Sequence, residues 1–402
     1  MRQSLYSAFN LVSLHPMEML NEIITTIIDG YGIAGSVLLL LALLLFVVQI
    51  VQICRMKIVA DFKLTSRPQV RTTQPPVSVV IPLFGEDEEY LKGDFRVLLS
   101  QSCPNYEVVA VYVGKEDAYY ATLKHLRKFY KHLKTTQIDY TPQYPITTRL
   151  ALNVGIKTAS NDCIILTTPE TRPTTRSWVD YMAKGFMYGD IVLGYCNWER
   201  GKGVANLFYR KYRFNEVRTY LAEAIRGRQY GASHNSMGFT KQLYFGVRGF
   251  DHLDLTAGED DLFVQSIATK DNVSVLLTPA AHCAECAPIN FSAWKMEIYR
   301  QGQTRRFYTQ RAKNAESCEL LCRLAFFTAT IASIVLLPLE LKAFAALLIL
   351  GRYIAVSVVT SKGAARMGEE KIAAWSPLFD FIEPWVRFVI RATQPKHIYK
   401  WR

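Results

Sequence analysis

The chain has 402 residues, of which half are hydrophobic, and its formal net charge is +12. It is too long for one small domain and too apolar for a protein that lies wholly in water, so membrane segments are expected. The basic residues cluster beside the apolar runs and carry no nucleic-acid-binding signature, so we expect anionic lipid and a diphosphate-bearing ligand as partners, and no nucleic acid.

The first apolar run covers residues 33–54 and carries no charge. Its length meets the roughly 20 residues that a bilayer core of about 30 Å requires, so it predicts a transmembrane helix. Glu18 and Asp29 precede this run, whereas Arg55 and Lys57 follow it. By the positive-inside rule, residues from 55 onward are predicted to lie in the cytoplasm.

Short apolar strands then alternate with amphipathic helices. The predicted strands cover residues 77–81, 106–113, 137–140, 163–167 and 191–195. The predicted helices cover residues 90–101, 118–133, 148–159 and 204–225. Repeated βα units predict an α/β fold with a mostly parallel sheet covered by helices on both faces. Ligands of such sheets bind beyond the carboxyl ends of the strands.

A cluster of carboxylates, Glu259, Asp260 and Asp261, follows a glycine where another helix is predicted to begin. Acidic side chains at a helix start can act simply as caps, because they accept hydrogen bonds from the free backbone N–H groups there. A carboxylate in a ligand site can instead serve as a general base. From these residues alone, both interpretations stand.

Two further apolar runs, residues 320–337 and 343–360, are separated by a short PLELK link and predict a transmembrane hairpin. Each run is close to the minimum spanning length and each contains an arginine, Arg323 in the first and Arg352 in the second. A hairpin of buried core helices is therefore the alternative for this pair.

The tail carries an amphipathic helical pattern over about residues 372–391. Its apolar face comprises Leu378, Phe381, Ile382, Trp385, Phe388 and Val389. Pro377 and Pro384 are expected to interrupt the helix, and the unbroken apolar length is too short to span a bilayer. We predict that it lies on the cytoplasmic leaflet, with packing against the cytoplasmic domain as the alternative.

These segments predict an integral protein of the inner or plasma membrane with a cytoplasmic domain. The predicted organisation is an extracytoplasmic segment (1–32), a transmembrane helix (33–54), a cytoplasmic domain (55–318), a transmembrane hairpin (319–360) and a cytoplasmic tail (361–402).

Over roughly residues 75–310 the order of features resembles the membrane-bound family-2 glycosyltransferases of the GT-A fold. VSVVIPLFGEDEEYL and LLSQSCPNYEVVAVYVGKED resemble that family's first strand, helix and second strand. TTRLALNVGIKTASNDCIILTTPETRP is similar to the segment leading to its metal-binding D-x-D. GFTKQLYFGVRGFD and GEDDLF resemble its acceptor-side element and E-D motif, and WKMEIYRQGQ stands where the family has Q-x-x-R-W.

The resemblance implies a nucleotide-sugar-binding domain in an inverting glycosyltransferase of cell-surface glycan synthesis. A sugar would pass from a nucleoside-diphosphate sugar to a lipid-linked or membrane-proximal acceptor. Asp260 would be the general base, with Glu259 supporting it. Donor or diphosphate contacts would come from Glu86, Tyr112, Val113, Arg149, Thr168 and Arg300.

The chain departs from the family pattern where a metal would bind. The D-x-D position reads Thr168-Pro169-Glu170, which leaves Glu170 as the candidate ligand for Mg²⁺ or Mn²⁺. One carboxylate can suffice where phosphate oxygens and waters complete the shell. Tyr112 or Val113 also replaces an aspartate that contacts the nucleotide base. The alternative is therefore a catalytically inactive relative that acts as a binding or assembly partner.

Overall fold

The computed structural model describes residues 16–85, 88–139, 147–250 and 260–394. Two compact units can be distinguished. One combines Met1–Ile53 with Glu316–Val356, and the other combines Cys54–Ala315 with Ser357–Arg402. We call them the helical unit and the α/β unit and describe each by itself.

The helices, in chain order, are α1 (Pro16–Arg55), α2 (Lys57–Asp61), α3 (Glu88–Lys92), α4 (Asp94–Leu99), α5 (Ala118–Phe129), α6 (Thr148–Thr158), α7 (Trp178–Gly185), α8 (Val204–Ile225), α9 (Lys241–Gly246), α10 (Asp261–Ile267), α11 (Phe291–Arg305), α12 (Gln310–Leu336), α13 (Leu339–Arg366), α14 (Glu370–Ala374) and α15 (Ser376–Ala392).

The strands are β1 (Val77–Leu83), β2 (Tyr106–Val113), β3 (Leu133–Ile138), β4 (Cys163–Leu166), β5 (Thr171–Pro173), β6 (Ile191–Leu193), β7 (Cys196–Trp198), β8 (Met237–Thr240), β9 (Val273–Val275) and β10 (Cys283–Glu285).

Three helical stretches in the described part of the chain are long and apolar enough to cross a membrane: Gly32–Asp61, Gln310–Leu336 and Leu341–Arg366. They coincide with the three predicted runs and are compatible with a membrane protein. The first begins where Gly32 leaves helical geometry at a φ of 75°, which interrupts α1.

Two arginines in the helical unit have partners. Arg352 is 1% exposed, and its Nε donates to Gln49 Oε1 at 3.1 Å. Its guanidinium also lies 4.9 Å from the ring centroid of Phe327. Arg323 pairs with Glu319, one turn earlier on α12, at 3.1 Å. Ionisable groups within apolar helices are tolerated where such partners compensate their desolvation, so these arginines are compatible with membrane helices.

The α/β unit is built on a seven-stranded sheet with the order β3-β2-β1-β4-β8-β6-β9. Only β8 runs antiparallel to its two neighbours; the remaining pairs are parallel. This confirms the predicted mostly parallel α/β fold. All seven residues of β1 are buried, as expected for a central strand covered on both faces.

A second, three-stranded sheet has the order β5-β10-β7. It follows the carboxyl end of β4, because β5 begins at Thr171, five residues after β4 ends. In this sheet β5, which directly follows Glu170, pairs with β10, which ends at Glu285. Both carboxylates prove relevant to the candidate site below.

Some predicted boundaries were wrong. The predicted helix over residues 90–101 is two short helices, α3 and α4, which Gly93 separates with non-helical dihedrals. The predicted helix over residues 118–133 ends at Phe129, and β3 begins at Leu133 rather than at residue 137. β3 pairs with β2 alone and is largely half-buried, so its sequence lacks the apolar signature of a central strand.

The tail helix α15 is continuous, contrary to the expected interruption. Pro377 occupies its first turn, where no intrahelical N–H is needed, and Pro384 lies inside the helix. Its polar face packs inward: Glu383 is 2% exposed and accepts from Asn215 Nδ2 of α8 at 2.8 Å. The apolar face is outward, with Phe388 52% exposed. Packing against the α/β unit is thus observed, and placement on a lipid leaflet stays a prediction.

Candidate active site

Asp260 stands at the start of α10, as the sequence predicts. Its carboxylate accepts a hydrogen bond from the backbone N–H of Asp261 at 2.8 Å, so it caps the helix. The side chain is half-buried. A cap that keeps part of its surface accessible can still act on a ligand, so the structural and chemical interpretations of Asp260 are compatible.

Asp261 is held differently from its neighbour. Its Oδ2 accepts a hydrogen bond from Thr304 Oγ1 at 3.0 Å and another from the Tyr308 hydroxyl. Burial and, secondarily, the charge of Asp260 raise the pKa of the Asp261 carboxyl to about 8, against the opposing effect of the two hydroxyls. Asp261 therefore keeps its proton at neutral pH, and Asp260 is the candidate base of the two.

Arg300 lies on α11 and shares an electrostatic environment with Asp260. Its Nη2 donates to Glu297 Oε1 at 2.9 Å, and about a third of the side chain is exposed. Burial lowers the pKa of the Arg300 guanidinium, but the charges of Glu297, Asp260 and Glu285 more than offset this and raise the pKa. The structure thus brings together Asp260 and Arg300, which are 40 residues apart in the sequence.

The turn between β4 and β5 carries the two residues at the D-x-D position. Thr168 is buried, and its hydroxyl lies 3.0 Å from Thr171 Oγ1 and donates to Asn235 Oδ1 at 3.2 Å. Glu170 is exposed, and its backbone carbonyl accepts from the N–H of Cys286 at 3.3 Å. The Thr168 hydroxyl is engaged within the protein, whereas the Glu170 carboxylate faces solvent.

Few of the described side chains lie close enough together to bind a divalent cation. Within the described ranges, no group of three or more His, Cys, Asp or Glu side chains could hold a metal ion. Among the described residues, Glu170 would act as a ligand together with phosphate oxygens and waters, which is a common arrangement for Mg²⁺. The described residues are compatible with a cation bound through a diphosphate.

Tyr112 and Val113 end β2 and are both buried. The Tyr112 ring stacks on Tyr120 with 5.5 Å between centroids, and its hydroxyl donates to Asp117, the N-cap of α5. A Cβ atom at Gly114 would come within 2.4 Å of that hydroxyl, so this glycine makes room for the ring. Tyr112 is thus packed and anchored to Asp117, and contact of Tyr112 or Val113 with a donor stays a prediction.

Three other residues were predicted to contact the substrates or to support the base. Arg149 begins α6 half-buried, and its Nη1 donates to the backbone carbonyl of Phe250 at 3.4 Å. Glu86 and Glu259 lie outside the described residues. Contact of Arg149, Glu86 or Glu259 with a ligand stays a prediction.

Sequence reasoning missed a buried charged group on α8. Arg213 pairs with Glu216 at 3.5 Å and with Glu285 of β10 at 3.8 Å. Gln301 of α11 contacts both Arg213 and Glu216 when its amide nitrogen faces Glu216. Its Nε2 then donates to Glu216 Oε1 at 2.9 Å, and its Oε1 accepts from Arg213 Nη1 at 2.7 Å. The same helix also carries Arg210, Lys211, Asn215 and Arg218, so no local pattern singles out Arg213.

Comparison with known proteins shows what this arrangement is similar to. The mannosyltransferase PcManGT from Pyrobaculum calidifontis, solved with GDP-Man and Mn²⁺, has 15% identity to the chain and a TM-score of 0.53; the match covers 87% of this chain and 99% of that one. TarS from S. aureus, residues 1–349 with UDP, has 15% identity and a TM-score of 0.41, covering 80% and 93%.

No curated protein matches the chain in sequence. The model of glycosyl transferase family 21 matches residues 37–389, which include most of the first apolar helix, the other two apolar helices, both sheets and the candidate site. The likeness to the mannosyltransferase agrees with a GT-A-type fold. The chain therefore belongs to glycosyl transferase family 21 and is an enzyme of glycosyl transfer.

Proposed function

We propose that this glycosyltransferase moves a sugar, with inversion, from a nucleoside-diphosphate sugar to a hydroxyl group of a lipid-linked or membrane-proximal acceptor. The observation that carries the proposal is that the charge of Asp260, a half-buried carboxylate at the start of α10, acts on the Arg300 guanidinium. A base and a cation in one electrostatic environment are what a single displacement of a diphosphate requires.

In this reaction Asp260 takes the proton of the acceptor hydroxyl as the oxygen attacks the anomeric carbon of the donor. The bond from that carbon to the diphosphate oxygen breaks, and Arg300 stabilises the charge that develops on the leaving group. One displacement inverts the anomeric configuration. Asp261, neutral and bonded to Thr304, positions the start of α10 for this step.

A divalent cation, Mg²⁺ or Mn²⁺, would neutralise the diphosphate, with Glu170 as the protein ligand. Support comes from the exposed carboxylate at the carboxyl end of β4 and from Mn²⁺ in the mannosyltransferase of similar fold. A single protein ligand makes cation affinity depend on the donor's phosphates. We therefore expect cation and donor to bind cooperatively.

The proposed acceptor is at the membrane because three apolar helices adjoin the α/β unit in the sequence. The charges that flank residues 33–54 favour a cytoplasmic position for this unit, in the inner or plasma membrane. The mannosyltransferase was solved with GDP-Man and TarS with UDP. Both UDP- and GDP-sugars therefore belong in the donor panel.

The experiment uses the full chain in lipid nanodiscs with UDP-glucose, UDP-N-acetylglucosamine and GDP-mannose, each with and without Mn²⁺. Diacylglycerol and dodecyl β-glucoside, which both carry free hydroxyl groups, serve as acceptors. We expect release of nucleoside diphosphate with one donor, and a glycosylated lipid whose anomeric configuration, read by NMR, is inverted. A retained configuration contradicts the mechanism. Absence of donor binding by a folded sample would favour an inactive binding partner.

A further inference from the structure

Two buried polar atoms on α8 lack a hydrogen-bond partner in the part of the chain that the structure describes. They are Nε of Arg213 and the hydroxyl oxygen of Tyr220. Tyr220 is 6% exposed, and the Arg213 side chain is 11% exposed. Buried polar groups are nearly always paired, and an unpaired one destabilises the fold, so two on one helix require an explanation.

The two atoms lie on the same face of α8. Arg213 and Tyr220 are seven residues apart, which is close to two helical turns, and Glu216 lies between them. Burial raises the pKa of the Tyr220 hydroxyl, and the charges of Arg213, Glu216 and Asp260 all act on it. The charge of the candidate base thus reaches this face of α8.

The surroundings of these atoms are fixed by contacts between helices. Gln301 of α11 bonds both Glu216 and Arg213, and Thr304, one turn further along α11, donates to Asp261. These bonds connect the Arg213–Tyr220 face of α8 to the start of α10, where Asp260 lies. The Arg213 face of α8 is thus bonded to α11, the helix that carries Arg300 and is itself bonded to the start of α10.

The charge balance indicates the kind of ligand that the atoms would take. The guanidinium of Arg213 is already compensated by Glu216 and Glu285, at 3.5 and 3.8 Å. A diphosphate would have to compete with these two carboxylates, whereas a neutral hydroxyl group needs only the free Nε–H and the tyrosine hydroxyl. Sugar rings and alcohols supply such oxygens.

We propose that Arg213 Nε and Tyr220 Oη form a subsite that binds a substrate hydroxyl group beside Asp260. This inference rests on the proposed function, because it takes Asp260 as the reacting centre. The hydroxyl group belongs either to the donor sugar or to the acceptor. Both have the same chemistry, and the kinetic experiment below distinguishes them.

The first arm of the test is stability. Tyr220→Phe removes only the unpartnered oxygen, so the melting temperature should stay unchanged or rise. Tyr195→Phe is the matched control: that hydroxyl donates to Glu369 Oε1 at 3.2 Å and accepts from Asn197 Nδ2 at 2.9 Å, so its loss should lower the melting temperature. A comparable fall in Tyr220→Phe would show a structural role, such as a bridging buried water, and overturn the inference.

The second arm is kinetic, with the donors and acceptors named above. Loss of one neutral hydrogen bond predicts a rise of about two- to tenfold in one Michaelis constant for Tyr220→Phe. A rise for the donor, matched by weaker calorimetric donor binding, assigns the subsite to the donor sugar; a rise for the acceptor alone assigns it to the acceptor. Wild-type kinetics in Tyr220→Phe would overturn the inference. An inactive wild type would instead contradict the proposed function.

Discussion

The Tyr308 hydroxyl donates a hydrogen bond to Oδ2 of Asp261, so the segment that follows α11 is bonded to the first residue of α10. Thr304 Oγ1 donates to the same oxygen at 3.0 Å. Because α11 carries Arg300 and α10 begins beside Asp260, these two bonds tie the helix of the candidate diphosphate-binding cation to the helix that the candidate base caps.

Asp261 should make the stability of the protein pH-dependent. Its folded-state pKa is raised from 3.8 to about 8, chiefly by burial, so the native state keeps a proton that the unfolded state loses. Stability from this group is fully present below about pH 4 and is lost as the pH rises towards 8. We expect the melting temperature of the wild type to fall between pH 5 and 8.

Asp261→Asn cannot titrate and should flatten that pH dependence while keeping an amide oxygen for Thr304 and Tyr308. Thermal unfolding in detergent, followed by circular dichroism at several pH values, measures the difference. Asp271→Asn, an exposed carboxylate beyond α10, is the control and should retain the wild-type slope. Parallel slopes for Asp261→Asn and the wild type would show that Asp261 is ionised in the native state.

Arg210 and Glu369 form a buried ion pair within the α/β unit, with side chains 5% and 8% exposed. Asn197 Nδ2 also donates to Glu369 at 2.8 Å. Arg210→Met leaves the carboxylate buried without its cation and should destabilise the unit by about 3–5 kcal/mol. Chemical denaturation measures this loss.

The double variant Arg210→Met with Glu369→Leu removes both charges and should recover much of that stability. The exposed pair Lys124 and Glu116 is the control, because Lys124→Met should leave the unfolding midpoint nearly unchanged. If Arg210→Met also left the midpoint unchanged, the pair would be solvated in solution.

Glu170→Gln tests the proposed cation ligand. It keeps the size of an exposed side chain and removes the charge, so the Mn²⁺-dependent part of donor affinity should be lost, while cation-independent binding stays. Calorimetric titration with UDP- and GDP-sugars, with and without Mn²⁺, gives both quantities. Glu116→Gln, exposed and distant in sequence, is the control. Full Mn²⁺ enhancement in Glu170→Gln would assign the cation to other ligands.

Much of the fold could be predicted because apolar periodicity marks elements that are buried on both faces. The bounds of β2 and α8 agree with the sequence prediction, since Tyr106–Val113 is apolar except for Glu107 and Val204–Ile225 holds no glycine or proline. β3 was misplaced because an edge strand such as Leu133–Ile138 mixes lysine and threonine into its sequence.

Residues of the candidate site could be predicted from the sequence only where they stand in a recognisable motif. Asp260 follows a glycine at a helix start, and Arg300 stands in a recognisable motif, so the structure brings together two residues that sequence reasoning had chosen. Arg213 and Tyr220 were missed because their burial depends on how α8 packs against α11, which no local pattern encodes. The Thr168 hydroxyl was expected to face a donor, yet Thr171 and Asn235 are its observed partners.

The most direct test of Asp260 as the catalytic base is nucleoside-diphosphate release by Asp260→Asn, measured beside the wild type and Asp271→Asn at saturating donor and acceptor. Loss of a general base costs about 10²- to 10⁴-fold in turnover, so Asp260→Asn should lose at least about a hundredfold while calorimetric donor binding persists. Asp271→Asn should turn over like the wild type. Turnover by Asp260→Asn at the wild-type rate would contradict the assignment of Asp260 and the mechanism built on it.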